Sequence, residues 1–115
     1  MIRNSSEFKS EIRTNMRGGD GDIVISHILN TADDLKAPAR LFAKLTIEKN
    51  CSIGTHDHIS EEEVFYILKG TAEFDDNGTK KILNPGDVAV TSNASHSIAN
   101  AGDTTLEIMA VILKF

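Results

Sequence analysis

From Arg40 onward the chain alternates. Leu41, Ala43, Leu45 and Ile47 are apolar at every second position, with Arg40, Phe42, Lys44, Thr46 and Glu48 between them. A period of two is that of a strand with one buried face. Residues 48–50 read as a turn and 51–58 as a short strand, with Gly54 marking a bulge. Residues 64–69 form an apolar strand that ends at Gly70. Residues 71–75 and 79–83 flank Asp76-Asn77-Gly78, a hairpin signal because Asn-Gly supplies the positive φ such turns need. Asn84-Pro85-Gly86-Asp87 is a second turn. Residues 88–90 and 96–99 read as strands joined by a loop. The last strand, 106–113, is apolar on both faces, which predicts burial on both sides, within the protomer or at a subunit interface.

Before position 40 the pattern is weaker. Phe8, Ile12 and Met16 recur every four residues behind Ser5 or Ser6, which fits either a short amphipathic helix or an arm that pairs with a partner subunit. Gly18, Gly19 and Gly21 interrupt regular structure. Residues 23–29 read as a strand. Residues 30–40 connect it to the next, with Pro38 inside and Asp33 and Asp34 opening a single helical turn. We therefore expect an N-terminal arm over 1–22 and one β-barrel domain over 23–115. About nine short strands at this spacing predict an all-β barrel of jelly-roll type.

Composition narrows the function classes. A chain of 115 residues, 40% hydrophobic and 25% charged, is an ordinary single globular domain. The net charge of −5, without a basic run, argues against nucleic acid and against an anionic membrane as partners. No apolar run is long enough to span a bilayer. Cys51 is the only cysteine, so no intrachain disulfide forms. A reducing, cytoplasmic setting fits, as does an N-terminus without a signal-type apolar core.

The chemistry-bearing residues cluster. His56 and His58 are two apart and share a strand face; Glu63 opens the following apolar run. Two imidazoles and a carboxylate would make three sides of a metal site, with His27 or His96 left to complete it. A bare H-x-H is read equally well as a polar loop, and Glu61 to Glu63 as a solvated face.

The wider pattern resembles a cupin. His56-x-His58-x4-Glu63-x6-Gly70 fits the first cupin motif, with Asn50 at its leading glycine position. Pro85-Gly86-Asp87 opens the second motif and His96-x3-Asn100 closes it. Thr91 and Asn93 stand where proline and glycine are expected, and the loop is one residue short. The stretches SIGTHDH and ASHSIANAGDTTLEIMAVIL look like the small single-domain bacterial cupins described as predicted oxalate-decarboxylase-like proteins. This chain has one cupin and no long lid insertion. The resemblance implies a cupin jelly-roll barrel with His56, His58, Glu63 and His96 as metal ligands. It implies Mn²⁺ or Fe²⁺ first, with Ni²⁺, Zn²⁺ or Co²⁺ as alternatives, since imidazole donors disfavour Ca²⁺. Glu63 is preferred to Glu62 because it keeps the six-residue spacing to Gly70. Two functions follow: an enzyme acting on a small carboxylate (a decarboxylase, dioxygenase or isomerase), or a non-catalytic sensor or binding module. A homodimer is expected, as in several single-cupin proteins. Arg40 and Lys44 are the nearest cations to hold a carboxylate. His27 is read as an ordinary surface or core histidine, Tyr66 as lying outside the pocket, and Asn100 as fixing a turn.

Overall fold

The computed structural model describes all 115 residues, Met1–Phe115. Eight antiparallel strands make one rolled sheet in the order β1-β2-β3-β8-β4-β7-β5-β6. They are β1 (Lys9–Thr14), β2 (Asp22–His27), β3 (Ala39–Ile47), β4 (Ser52–Lys69), β5 (Ala72–Asp76), β6 (Thr79–Leu83), β7 (Val88–Asn100) and β8 (Leu106–Lys114). One helical turn, α1 (Thr31–Asp34), precedes β3. No helix is long and apolar enough to cross a membrane.

The alternation expected in β3 is present: Ala43, Leu45 and Ile47 are buried while Lys44 and Thr46 face outward. In β8, Leu106, Ile108, Ala110 and Ile112 point into the core, and Met109 and Val111 lie half-buried on the outer face. The core joins these residues to Ile23, Ile25, Ile53, Phe65, Ile67, Phe74 and Ile98. Each of the larger aliphatic side chains stabilises the fold by about 1.5–3 kcal/mol through burial.

Three expectations are corrected. The four-residue spacing of Phe8, Ile12 and Met16 does not make a helix: residues 9–14 are β1, paired with β2 from Lys9↔His27 to Thr14↔Asp22. Backbone pairing to an adjacent strand overrides a weak apolar period. The strands expected at 51–58 and 64–69 are one bent strand, β4, whose register breaks between Ile53 and His56 and again between His58 and Glu62. The loop expected at 91–95 is likewise part of a continuous β7. Both bends use left-handed backbone at polar residues. Ser60 (φ 55°) and Asn93 (φ 48°) face each other, and the Ser60 amide donates to Asn93 Oδ1 at 2.8 Å. A bend made inside a paired ladder reads in sequence as a gap between two strands.

The strap between β1 and β2, residues 15–21, folds over the start of β4. The Ser52 amide donates to Asp20 O at 2.9 Å, and the Asp20 amide to Ser52 Oγ at 3.0 Å. Gly19 and Gly54 meet here so closely that a Cβ on Gly19 would run into the Ser52 carbonyl, and one on Gly54 into the Arg17 carbonyl. Neither backbone can yield without breaking those hydrogen bonds. Gly54→Ala should therefore cost about 1–3 kcal/mol through overpacking. Thermal denaturation should show Tm lower by several degrees; an unchanged Tm would mean the strap is not held here.

Candidate metal centre

β4 supplies His56, His58 and Glu63, and β7 supplies His96. His56 and His96 are cross-strand partners. His58 follows two positions on, so it shares their face. Glu63 is five positions beyond His58, and a regular strand would turn it to the opposite face. The irregularity around Ser60 resets the parity, so Glu63 and Phe65 point inward with the histidines. The facing break at Asn93 does the same for β7 and turns Thr91 inward.

The four side chains converge. The Nε2 atoms of His56, His58 and His96 lie 3.0–3.2 Å from one another. Glu63 Oε1 is 2.9 Å from His58 Nε2 and 3.0 Å from His96 Nε2. His58, His96 and Glu63 are buried, with at most 5% exposure. Adjacent donors at right angles around an ion with ~2.1 Å bonds are ~3.0 Å apart. All four ligand atoms lie within 4.8 Å of one another, yet His56 and Glu63 make no contact within 4.0 Å. Five of the six donor pairs are adjacent and the sixth is wider, a donor set that would suit a divalent first-row transition ion.

Each imidazole is oriented through its other nitrogen. His56 Nδ1 is 2.8 Å from Gly54 O, a carbonyl that can only accept, so this nitrogen carries the proton. His58 Nδ1 meets Glu61 Oε1 at 2.7 Å, and His96 Nδ1 meets Thr91 Oγ1 at 2.7 Å. Such partners leave Nε2 free to donate a lone pair. Phe65 stacks on His96 at 5.0 Å, and Phe74 meets it edge-on at 5.5 Å. Arg40 holds Glu61 with two hydrogen bonds of 2.7 and 2.9 Å.

The electrostatics follow from these contacts. Burial pushes the His56 pKa down. The hydrogen bond to Glu63, and after it that to Glu61, raises His58 against the effect of burial. Burial pushes Glu63 up, but the hydrogen bonds from His58 and His96 outweigh it and hold its pKa below the ordinary value. Arg40, assisted by His58, lowers Glu61 to about 2. Without metal, the folded chain keeps the His58 proton to higher pH than the unfolded chain does. That contribution is complete below the ordinary value of 6.5 and is lost as pH rises through the raised one. The Glu61 contribution has the opposite sense: it is present above 4.5 and lost as pH falls towards about 2.

A cavity of about 160 Å³ opens beside the centre and is bordered by His56, His58 and Glu63. Apolar side chains, among them Ile25, Leu45 and Phe65, form its walls. Arg13, Arg17, Arg40, Glu11 and His27 also line it. Of the two cations expected near a ligand, Arg40 is here, whereas Lys44 sits on the outer face near Glu107. His27, read as an ordinary histidine, is one-third exposed at the cavity, 3.7 Å from Glu11. Tyr66 points outward at 41% exposure. Asn100 fixes a turn, its amide donating to Ile47 O and Thr104 O. Glu62 lies on the face opposite Glu63. Thr91 departs from the motif, and nothing in its local sequence marks it as the partner of His96. Arg13 and Arg17 were not foreseen because the glycines at 18, 19 and 21 separate them in sequence from the strongly alternating strands.

The two asparagines that replace motif glycines have a physical account. Asn50 (φ 67°) and Asn93 (φ 48°) both occupy left-handed backbone, which asparagine tolerates better than most residues.

Comparison with known proteins shows the family and the fold. Residues 43–112 match the cupin domain family. An oxalate-binding protein of Thermotoga maritima is 43% identical over 114 residues, covering 98% of this chain and 93% of that one. The crystal structure of a predicted oxalate decarboxylase from Thermotoga maritima superposes with a TM-score of 0.93 at 42% identity, over all of both chains. The polyketide cyclase RemF of Streptomyces resistomycificus shares the fold alone, with a TM-score of 0.77 at 19% identity over 99% of this chain and 79% of that one.

A metal ion must displace the proton that His58 keeps in the free protein. Metal affinity should therefore fall as pH drops through the raised His58 value. Glu61→Gln removes part of what raises that value and loosens the imidazole. It should shift the loss of metal to lower pH and weaken binding about 10- to 100-fold at mildly alkaline pH. Competition with a chromophoric chelator across a pH series measures both; an unchanged profile would remove Glu61 from the site.

Proposed function

The chain belongs to the cupin family, and on that premise we propose that it holds a divalent first-row transition metal and through it binds a small carboxylate such as oxalate. The observation that carries this reading is the spacing of the four donors, 2.9–3.2 Å for neighbouring pairs, with each histidine held through Nδ1. Tetrahedral Zn²⁺ would place every pair of donors ~3.3 Å apart. The wider His56–Glu63 separation supports an octahedral ion instead, Mn²⁺ or Fe²⁺ by preference, with Co²⁺, Ni²⁺ and Zn²⁺ as competitors. Four protein donors leave two positions of an octahedron for a bidentate acid. The name of the Thermotoga relative supports oxalate as the first acid to try.

When bound, the metal supplies a Lewis acid and a template. The chain's own residues orient it and wall off water: Phe65 lies against His96, and Ile25 and Leu45 line the cavity. The cavity carboxylate Glu11 and the adjoining Glu61 are engaged by Arg13 and Arg40 respectively. That favours binding over turnover. The enzymatic reading, as a decarboxylase, dioxygenase or isomerase, rests on His27, the one other imidazole at the cavity.

We also propose a homodimer. On the outer face, Phe42, Val111, Val64 and Val90 stand in register across β3, β8, β4 and β7, and Met109, Tyr66 and Val88 form the next row. Val88, Val90 and Tyr66 are exposed, and a contiguous apolar band of this kind suits a second sheet. A reducing, cytoplasmic location fits the single, partly exposed Cys51.

Elemental mass spectrometry of the purified protein should find about one transition-metal ion per chain. His58→Ala should reduce this to about a tenth or less. Calorimetry should show oxalate binding the metal-loaded protein and not the stripped one. A protein that takes up no metal even from Mn²⁺ or Fe²⁺ would overturn the proposal. Sedimentation should give a dimer at micromolar concentration, and Tyr66→Asp should shift it to monomer with the fold intact; a wild-type monomer removes the dimer.

A further inference from the structure

Three arginines line the cavity, and two are neutralised. Arg13 Nε donates to Glu11 at 2.9 Å, and Arg40 is held by Glu61. Arg17 makes no ion pair or side-chain hydrogen bond. It is the cation left over for a ligand.

Its placement is costly. Arg17 sits in left-handed backbone (φ 55°, ψ 29°), as does Asn15 (φ 51°, ψ 43°). Arginine has no local reason to adopt this conformation, and such residues persist where the surroundings hold them. Here the surroundings are specific. The Asn15 amide donates to Gly21 O at 2.9 Å, and Asp20 and Ser52 each donate a backbone amide to the other, to Ser52 Oγ and Asp20 O respectively. The Arg17 carbonyl packs against Gly54, whose own carbonyl orients His56. The strap thus ties Arg17 to the same stretch of β4 that carries the first ligand.

The charges then select a ligand. With the Arg13–Glu11 and Arg40–Glu61 pairs cancelled, a divalent ion, the Glu63 carboxylate and Arg17 leave a surplus of two positive charges. Without Arg17 the surplus is one. We propose that Arg17 is a specificity-determining residue that recognises the second anionic group of a small dicarboxylate, so that the site prefers dianions to monoanionic chelators of the same size. This rests on the carboxylate-binding reading above and names the class of acid. The second carboxylate meets a guanidinium suited to bidentate hydrogen bonding.

The test is calorimetry on Mn²⁺-loaded protein with oxalate, a dianion, and glycolate, a monoanion that chelates through the same number of atoms. Asparagine tolerates left-handed backbone, so Arg17→Asn removes the charge without new strain. Oxalate affinity should fall about 10- to 100-fold in Arg17→Asn, the loss of a charged hydrogen-bond partner. Glycolate affinity should change by less than about threefold, and Arg17→Lys should fall between. Mn²⁺ affinity and melting temperature should stay at wild-type values or, for melting, rise. Equal losses for both acids, no loss for either, or a parallel loss of Mn²⁺ affinity would each overturn the proposal. Wild-type protein that binds Mn²⁺ but neither acid would overturn the carboxylate reading itself, and this inference with it.

Discussion

A β-strand shows alternate side chains to one face, yet the centre needs Ile53, His56, His58, Glu63 and Phe65 together on the inside of β4. No regular strand can do this, because odd and even positions point to opposite faces. Two parity resets solve it, one at Gly54 and one around Ser60, and β7 carries a matching reset at Asn93. The site exists only where the ladder is irregular. The bends also roll the sheet so that β4 pairs with β7 along its length and with β8 from Glu61 onward. The roll of the sheet and ligand convergence therefore have the same cause.

Bringing a buried carboxylate and three imidazoles to one point is unfavourable unless protons or a cation lie between them. In the free protein the raised His58 and lowered Glu63 supply that charge complement. The surrounding contacts prepare for a metal instead. Gly54, Glu61 and Thr91 each occupy an Nδ1, and Phe65 and Phe74 fix the plane of His96. Arg40 keeps Glu61 ionised, so the carboxylate remains an acceptor for His58 across the useful pH range.

Around this rigid centre the cavity is decided by a more local element. The strap of residues 15–21 lies over β4 and brings Met16 and Arg17 to the cavity wall. Its glycine-to-glycine contact with β4 explains why a polar, glycine-broken stretch is ordered rather than a free tail. The relation between charge pairs, with Arg13 and Arg40 each answered by a glutamate and Arg17 unanswered, belongs to this packing and to no single strand.

The sequence by itself determined the all-β class, the strand faces of β3 and β8 and the hairpin at Asn77-Gly78, and it named the four residues, His56, His58, Glu63 and His96, that the fold brings together. These are short-range properties: alternation and turn chemistry are written in consecutive residues. It left residues 1–16 open between a helix and an arm, where the structure places β1 at 9–14, and it split β4 and β7, because a positive φ at Ser60 or Asn93 leaves no mark distinct from an ordinary loop. The spacing to Gly70 singled out Glu63 among Glu61, Glu62 and Glu63, but the bend that resets its parity and turns it inward belongs to the tertiary structure alone. It alone decided that Thr91 holds His96, that Lys44 turns away and that Arg17 reaches the cavity. Those placements depend on how the strands bend and roll against one another, which no short stretch of sequence records.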